Sequence, residues 1–198
     1  MSLVDRAKNI MVSPKAEWDV IANEEPNIQQ LIVGYVLPLA LIPTIAIIIG
    51  YGLIGIYGFS SYTMGIAMGL VQLLNAILSV FIAAFVIDAL APSFGSQKNM
   101  GRAVQLVAYS MTPVWVGGIF NLVPVVGWLG SLLGLYGLYL LYVGISPQMK
   151  TPEDKKVGYM IVSIIVLIVV YFVIAAILTA ILLSVFGLSM WGAANLYR

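Results

Sequence analysis

Five long apolar segments constrain this chain more than any other feature of its sequence. They are Leu31–Ile54, Thr63–Leu90, Arg102–Asn121, Val126–Ile145 and Val157–Phe186. Each comes near or beyond the roughly 20 residues that a helix needs to cross the hydrocarbon core of a bilayer. A helix satisfies its own backbone hydrogen bonds, which lipid cannot do for it. Composition points the same way, with 62% hydrophobic and 9% charged residues in a chain of 198. A soluble domain is nearer half apolar and a quarter charged, because it must clothe itself in polar groups. The expected fold is therefore all-α, a polytopic membrane helical bundle with five transmembrane helices. A single bundle over residues 31–198 follows a short N-terminal segment over residues 1–30.

The basic residues set the orientation. Arg6, Lys8 and Lys15 precede the first segment, Lys98 and Arg102 lie between the second and third, and Lys150, Lys155 and Lys156 lie between the fourth and fifth. The connections Gly55–Tyr62 and Leu122–Val125 have no Lys or Arg, and Arg198 alone falls on the other side. The positive-inside rule then predicts a cytoplasmic N-terminus and an outside C-terminus. An even number of spans would break the pattern, so span count and orientation support each other.

Residues 1–25 carry mixed charges and lack the continuous apolar stretch and cleavage site of a signal peptide. The first apolar run is therefore expected to be retained as a span. Leu3, Val4, Ala7, Ile10 and Met11 recur at helical spacing. Ser13-Pro14 reads as a second helix start, with Ser as cap and Pro in the first turn. Trp18 and Ile21 share a face of that helix, and Pro26 ends it. Such an amphipathic pair can lie in the headgroup layer, cap the cytoplasmic end of the bundle or dock a partner.

Polar side chains inside the segments are the candidate functional residues. Gln72, Asn75 and Ser79 share one face of the second segment with Gly65 and Gly69. Gln105, Tyr109 and Thr112 share a face of the third, at i, i+4 and i+7. Polar groups this deep should face the bundle. They serve either as interhelical glue or as the lining of a polar path. Gly65, Gly69, Gly130 and Gly134 are expected to let helices approach closely. Pro113 is expected to kink the third helix, and Pro38 and Pro43 interrupt the first. Tyr136 looks too central for an interfacial anchor and is expected to pack. The fifth segment is apolar all round and is the best candidate for a lipid-facing helix. Asp88 is the one carboxylate within any segment, close enough to the interface to be hydrated or to pair with Lys98 or Arg102. An acid inside a span is also a functional candidate.

Several chemistries lack their residues. There is no His and no Cys, which removes the commonest general base, thiolate metal sites and disulfides. One intramembrane aspartate does not make a protease pair or a proton relay. No phosphate loop ending in Lys-Ser or Lys-Thr occurs. No acidic cluster suits a buried cation, and a net charge of +1 excludes a nucleic-acid footprint. No catalytic residue, metal ligand or cofactor site is expected, and enzyme activity is not expected.

Ala108-Tyr109-Ser110-Met111-Thr112-Pro113 is followed by Asn121-Leu122-Val123-Pro124, Gly127 and a Leu/Tyr-rich helix ending Tyr142-Val143-Gly144-Ile145. This pattern resembles the Yip1 domain. The stretch Ser13–Ala22 followed by the first apolar segment is similar to bacterial members. The resemblance implies five transmembrane helices and a cytoplasmic N-terminal region. Eukaryotic members act in vesicle trafficking and associate with Rab-type GTPases through a longer N-terminal region. This chain has only about 30 residues there and no Asp-Leu-Tyr-Gly-Pro motif, so no family site residue is carried over.

Two functional expectations result. One is a non-enzymatic scaffold or adaptor in the cytoplasmic (inner) membrane, with lipids and an unidentified protein as partners and membrane organisation or trafficking-like processes as its setting. The other is a small channel or transporter with a polar path along Gln72, Asn75 and Ser79. The glycine faces suit contacts within one chain and between copies equally well, which leaves a homo-oligomer open.

Overall fold

The computed structural model describes residues 1–55 and 60–185. Among them all regular structure is helical. The chain divides into two compact units, Met1–Met160 and Ile161–Arg198.

In the first unit, two short helices open the chain, α1 (Leu3–Val12) and α2 (Pro14–Ala22). Ser2 caps α1 by accepting the Asp5 N–H at 3.1 Å. Ser13 stands at the N-cap of α2, with Pro14 in the first turn, but its side chain makes no capping bond. The α2 helix closes at Ala22, ahead of Pro26.

Four helices among the described residues are long and apolar enough to cross a membrane. They are α3 (Ile28–Ile54), α4 (Tyr62–Phe94), α5 (Met100–Leu122) and α6 (Leu129–Met149), each within four residues of its sequence segment at either end. The fifth segment coincides with a continuous helix, α7 (Glu153–Val185). Its expected end at Phe186 and the basic Arg198 lie outside the described residues.

Proline shapes two of the spans. In α3 the turn Ile32–Val36 widens to the π form, with the Leu37 N–H reaching the Ile32 carbonyl. Pro38 follows, and its ring crowds the carbonyl four residues back, which a wider turn accommodates. In α5 the helix breaks at Met111 into Met100–Ser110 and Thr112–Gly117, then tightens into a 3-10 turn over Gly118–Leu122. Pro113 sits in the first turn of the second piece, where its missing N–H costs nothing. The expected kink at Pro113 is thus a break two residues earlier.

The core surrounds α5, whose span is 72% buried against 33–39% for the other three. Small residues bring its neighbours in. A Cβ on Gly130 of α6 would stand 2.6 Å from the Gly117 carbonyl oxygen, and one on Gly137 would stand 2.8 Å from that of Ser110. The α3–α4 pair is similar, since a Cβ on Gly65 would lie 2.8 Å from the backbone of both Ile48 and Gly52. The opposite face of α4 exposes Ile66, Leu70, Leu74, Leu78 and Phe85. In the second unit, α7 exposes Ile161, Ile165, Ile168 and Val169. Exposed apolar faces of this size need lipid as their solvent.

Candidate functional site

The densest polar construction lies where α1 and α2 fold onto the spans. Helical spacing turns Arg6, Ala7 and Ile10 of α1 inward, together with Glu17, Trp18 and Ile21 of α2. Ile10, Trp18 and Ile21 are completely buried, and Arg6 and Glu17 nearly so. Arg6 Nη1 meets Glu17 Oε1 at 2.6 Å, and Nη2 pairs with Glu24 Oε1. The guanidinium also lies over the Tyr109 ring, 5.5 Å from its centroid. Burial alone lowers the basicity of Arg6; the hydrogen bond to Glu24 and the fields of Tyr109, Glu24 and Glu17 raise it. The net effect lifts the pKa above its already high ordinary value. Because the folded value is the higher one, this contribution to stability is complete at neutral pH and fades only in strong alkali.

Four further contacts fasten the two helices to α5 and α6. The Trp18 ring fills the space a side chain would take at Gly144, where a Cβ would stand 2.5 Å from Trp18 Cε2. Trp18 also meets Tyr109 edge to face, with centroids 6.1 Å apart. Tyr136 donates its hydroxyl to the Met11 carbonyl at 2.6 Å. Arg102 Nη1 donates to the Ile21 carbonyl at 3.0 Å, closing the end of α2.

Beneath this layer the widened turn of α3 presents Tyr35. Its ring packs edge to face on Tyr109 at 4.8 Å. Its hydroxyl lies 2.7 Å from Thr112 Oγ1, which itself donates to the Tyr109 carbonyl at 2.8 Å. The threonine has one proton, so Tyr35 is the donor of the first bond.

A cleft of about 370 Å³ opens beside the ion pairs. Arg6, Glu24 and Glu25 line it from the N-terminal segment, Gln30, Leu31, Gly34 and Tyr35 from α3, and Gln105 and Tyr109 from α5. Gln105 is only 4% exposed, and among the described residues its carboxamide oxygen has no hydrogen-bond donor.

The two polar groups expected from sequence are placed differently. Gln105, Tyr109 and Thr112 all belong to the buried cluster just described. Gln72, Asn75 and Ser79 are half-buried on α4. Ser79 donates to Asn75 Oδ1 at 3.2 Å within the same helix. No hydrogen bond among the described residues joins the two groups. Gly65 and Gly69 face α3, and Gly130 faces α5. A Cβ on Gly134 would meet only Val114 Cγ2, at an ordinary 3.9 Å. Asp88 is buried near the end of α4, with Lys98 Nζ 3.9 Å from Oδ2 and, among the described residues, no partner on Oδ1. Arg102, the other candidate partner of Asp88, is engaged at Ile21.

Arg6, Glu17, Glu24 and Tyr35 were not singled out from sequence as site residues. The charged three look like solvated positions on an amphipathic helix, and Tyr35 looks like one more apolar residue in a span. The available signal was Pro38, because a proline marks where a membrane helix departs from regular geometry.

The Yip1 domain profile matches residues 8–177. The chain is 27% identical over 157 residues to "Inner membrane protein YohC" of Escherichia coli (strain K12), covering 74% of this chain and 80% of that protein. The same protein from Escherichia coli O6:H1 (strain CFT073) matches equally. No solved structure matches.

Proposed function

The chain belongs to the Yip1 domain family, and from that premise we propose that this membrane protein is a non-enzymatic scaffold or adaptor of the cytoplasmic membrane. It spans the membrane five times, with α1 and α2 on the cytoplasmic side and the C-terminus outside. The placement of eight of nine basic residues supports this orientation.

The observation that carries the reading is the fastening of α1 and α2. Two ion pairs tie α1 to α2 and to Glu24 beyond it, and a buried tryptophan and two side-chain bonds to backbone carbonyls hold the two helices against α5 and α6. Val4, Val12 and Val20 remain exposed on their outer side. A fixed surface with apolar points is what a partner protein can dock on. A rigid platform costs less entropy to bind than a segment that must order first.

The competing reading is a channel or transporter along Gln72, Asn75 and Ser79. The Ser79–Asn75 bond counts against a path, because it satisfies polar groups inside one helix instead of offering them to a permeant. The absence of native cysteine makes the test direct. Single cysteines at Gln72, Asn75, Ser79 and Thr112 are exposed to a membrane-impermeant thiol reagent, with positions 62 and 98 as controls. The scaffold reading expects the controls to react and the four interior positions to stay unlabelled. Labelling at Gln72, Asn75 and Ser79 together would replace it with the transport reading.

A further inference from the structure

We propose that the turn between α1 and α2 enters the bilayer from the cytoplasmic side, with its tip at Val12 among the acyl chains of that leaflet. The inference rests on the orientation given above and goes beyond the scaffold reading. It names lipid as what covers the tip and leaves Val20, at the cytoplasmic end, for a partner. Depth is the first reason. The contacts of the helix pair move step by step away from the cytoplasmic ends of α5 and α6. Ile21 is held by Arg102, in the first turn of α5. Trp18 meets Tyr109, further along α5, and fills the space at Gly144 of α6. Met11 is held by Tyr136, and α1 reaches the second piece of α5, Thr112–Gly117. At about 1.5 Å per residue, Tyr136 stands about 20 Å along α6 from its end at Met149. The whole hydrocarbon core is about 30 Å thick. The two helices therefore stand beside the spans, turn first, instead of lying across their ends.

Charge is the second reason. Residues 9–14 are uncharged. Among the exposed charges of the pair, Lys8 and Lys15 flank this stretch, and Asp5 and Asp19 come next on either side. Val12 is itself 72% exposed. An uncharged tip with a lysine one turn behind it on each helix suits a leaflet. The lysine stem runs along apolar chains and carries its ammonium out to the phosphates, and the acids stay beyond them. The backbone is the third reason. Lipid offers no hydrogen bonds, so a turn enters it only with its polar groups satisfied by protein. The Asn9 carbonyl accepts the Ser13 N–H at 2.8 Å, and the Ser13 carbonyl accepts the Glu17 N–H at 3.0 Å. The Met11 carbonyl takes the Tyr136 hydroxyl. Pro14, at the first position of α2, has no N–H to leave open.

The experiment uses the full chain in nanodiscs, with a nitroxide on a single cysteine at Val12 or at Val20. Both side chains are exposed, so neither label disturbs the core, and Val20 lies next to Ile21 at the cytoplasmic end. Collisions are read with oxygen, which concentrates among acyl chains, and with a water-soluble nickel chelate. The expected result is a Val12→Cys label open to oxygen and several-fold less open to nickel than the Val20→Cys label. Val12→Asp should lower the unfolding temperature where Val20→Asp does not, because only the first carries a carboxylate into lipid. Equal nickel accessibility at the two positions would put the tip in water, within reach of a partner protein, and overturn the proposal. A Val12→Cys label closed to both reagents would mean that protein, such as a second copy of the chain, covers the tip, and would overturn it too. Equal effects of the two aspartates would do the same. Nanodiscs present both leaflets to the reagents, so a wrong orientation leaves these results unchanged and the two failures are told apart.

Discussion

At the scale of single residues, the protein stakes most on Arg6. A buried ion pair adds little over apolar packing, but removing one partner strands the other charge at a cost of about 3–5 kcal/mol. Arg6→Met leaves Glu17 buried without its cation. The expected outcome is a loss of about 3 kcal/mol, read as a lower unfolding temperature and as protease cleavage between α1 and α3. Adding Glu17→Gln should recover most of that loss, because the stranded charge is gone. The glycines divide by what a methyl group would strike. Gly130→Ala drives a Cβ into the Gly117 backbone and should cost about 1–3 kcal/mol. Gly134→Ala meets open space up to Val114 and should unfold at the parent temperature. The sequence marked both glycines alike, since spacing shows which face a residue occupies and not how near the opposite backbone comes. Arg6 was illegible for a related reason. Its burial arises from Glu17 of α2, Glu24 just beyond it and Tyr109 of the distant α5, which meet around Arg6 only in the fold.

At the scale of elements, the spans were legible because length and apolarity are local properties. A run without charge that matches the bilayer has few alternatives to a membrane helix. The irregularities were legible only as proline positions. Pro113 announced a disturbance in α5, but the break settled at Met111, where the second piece could take the proline into its first turn. Pro38 announced one in α3 without showing that the widened turn aims Tyr35 at Thr112. That contact is the polar tie between α3 and α5, and it predicts a measurable coupling. In a double-mutant cycle of Tyr35→Phe and Thr112→Val, the coupling should be about 0.6 kcal/mol, the typical size for a bond between helices in a membrane. A coupling indistinguishable from zero in unfolding measurements would mean that the two hydroxyls act independently.

At the scale of the whole molecule, five spans predict opposite fates for two reporters. A reporter fused after residue 152 should be active only in the cytoplasm, and one fused after residue 198 only outside. Activity of both on the same side would remove α7 from the set of spans. The attachment of α1 and α2 has one more consequence, which concerns the order in which the protein is made. Met11 and the tyrosine that holds it are separated by 125 residues. At a synthesis rate of about 5–20 residues per second, Met11 is made roughly 6–25 s before Tyr136 exists. Throughout that interval Trp18 has no glycine to rest against, and for most of it Arg6 has no tyrosine beneath it. The first segment to leave the ribosome is thus among the last to find its place, and nascent chains halted before α6 should carry it open to protease.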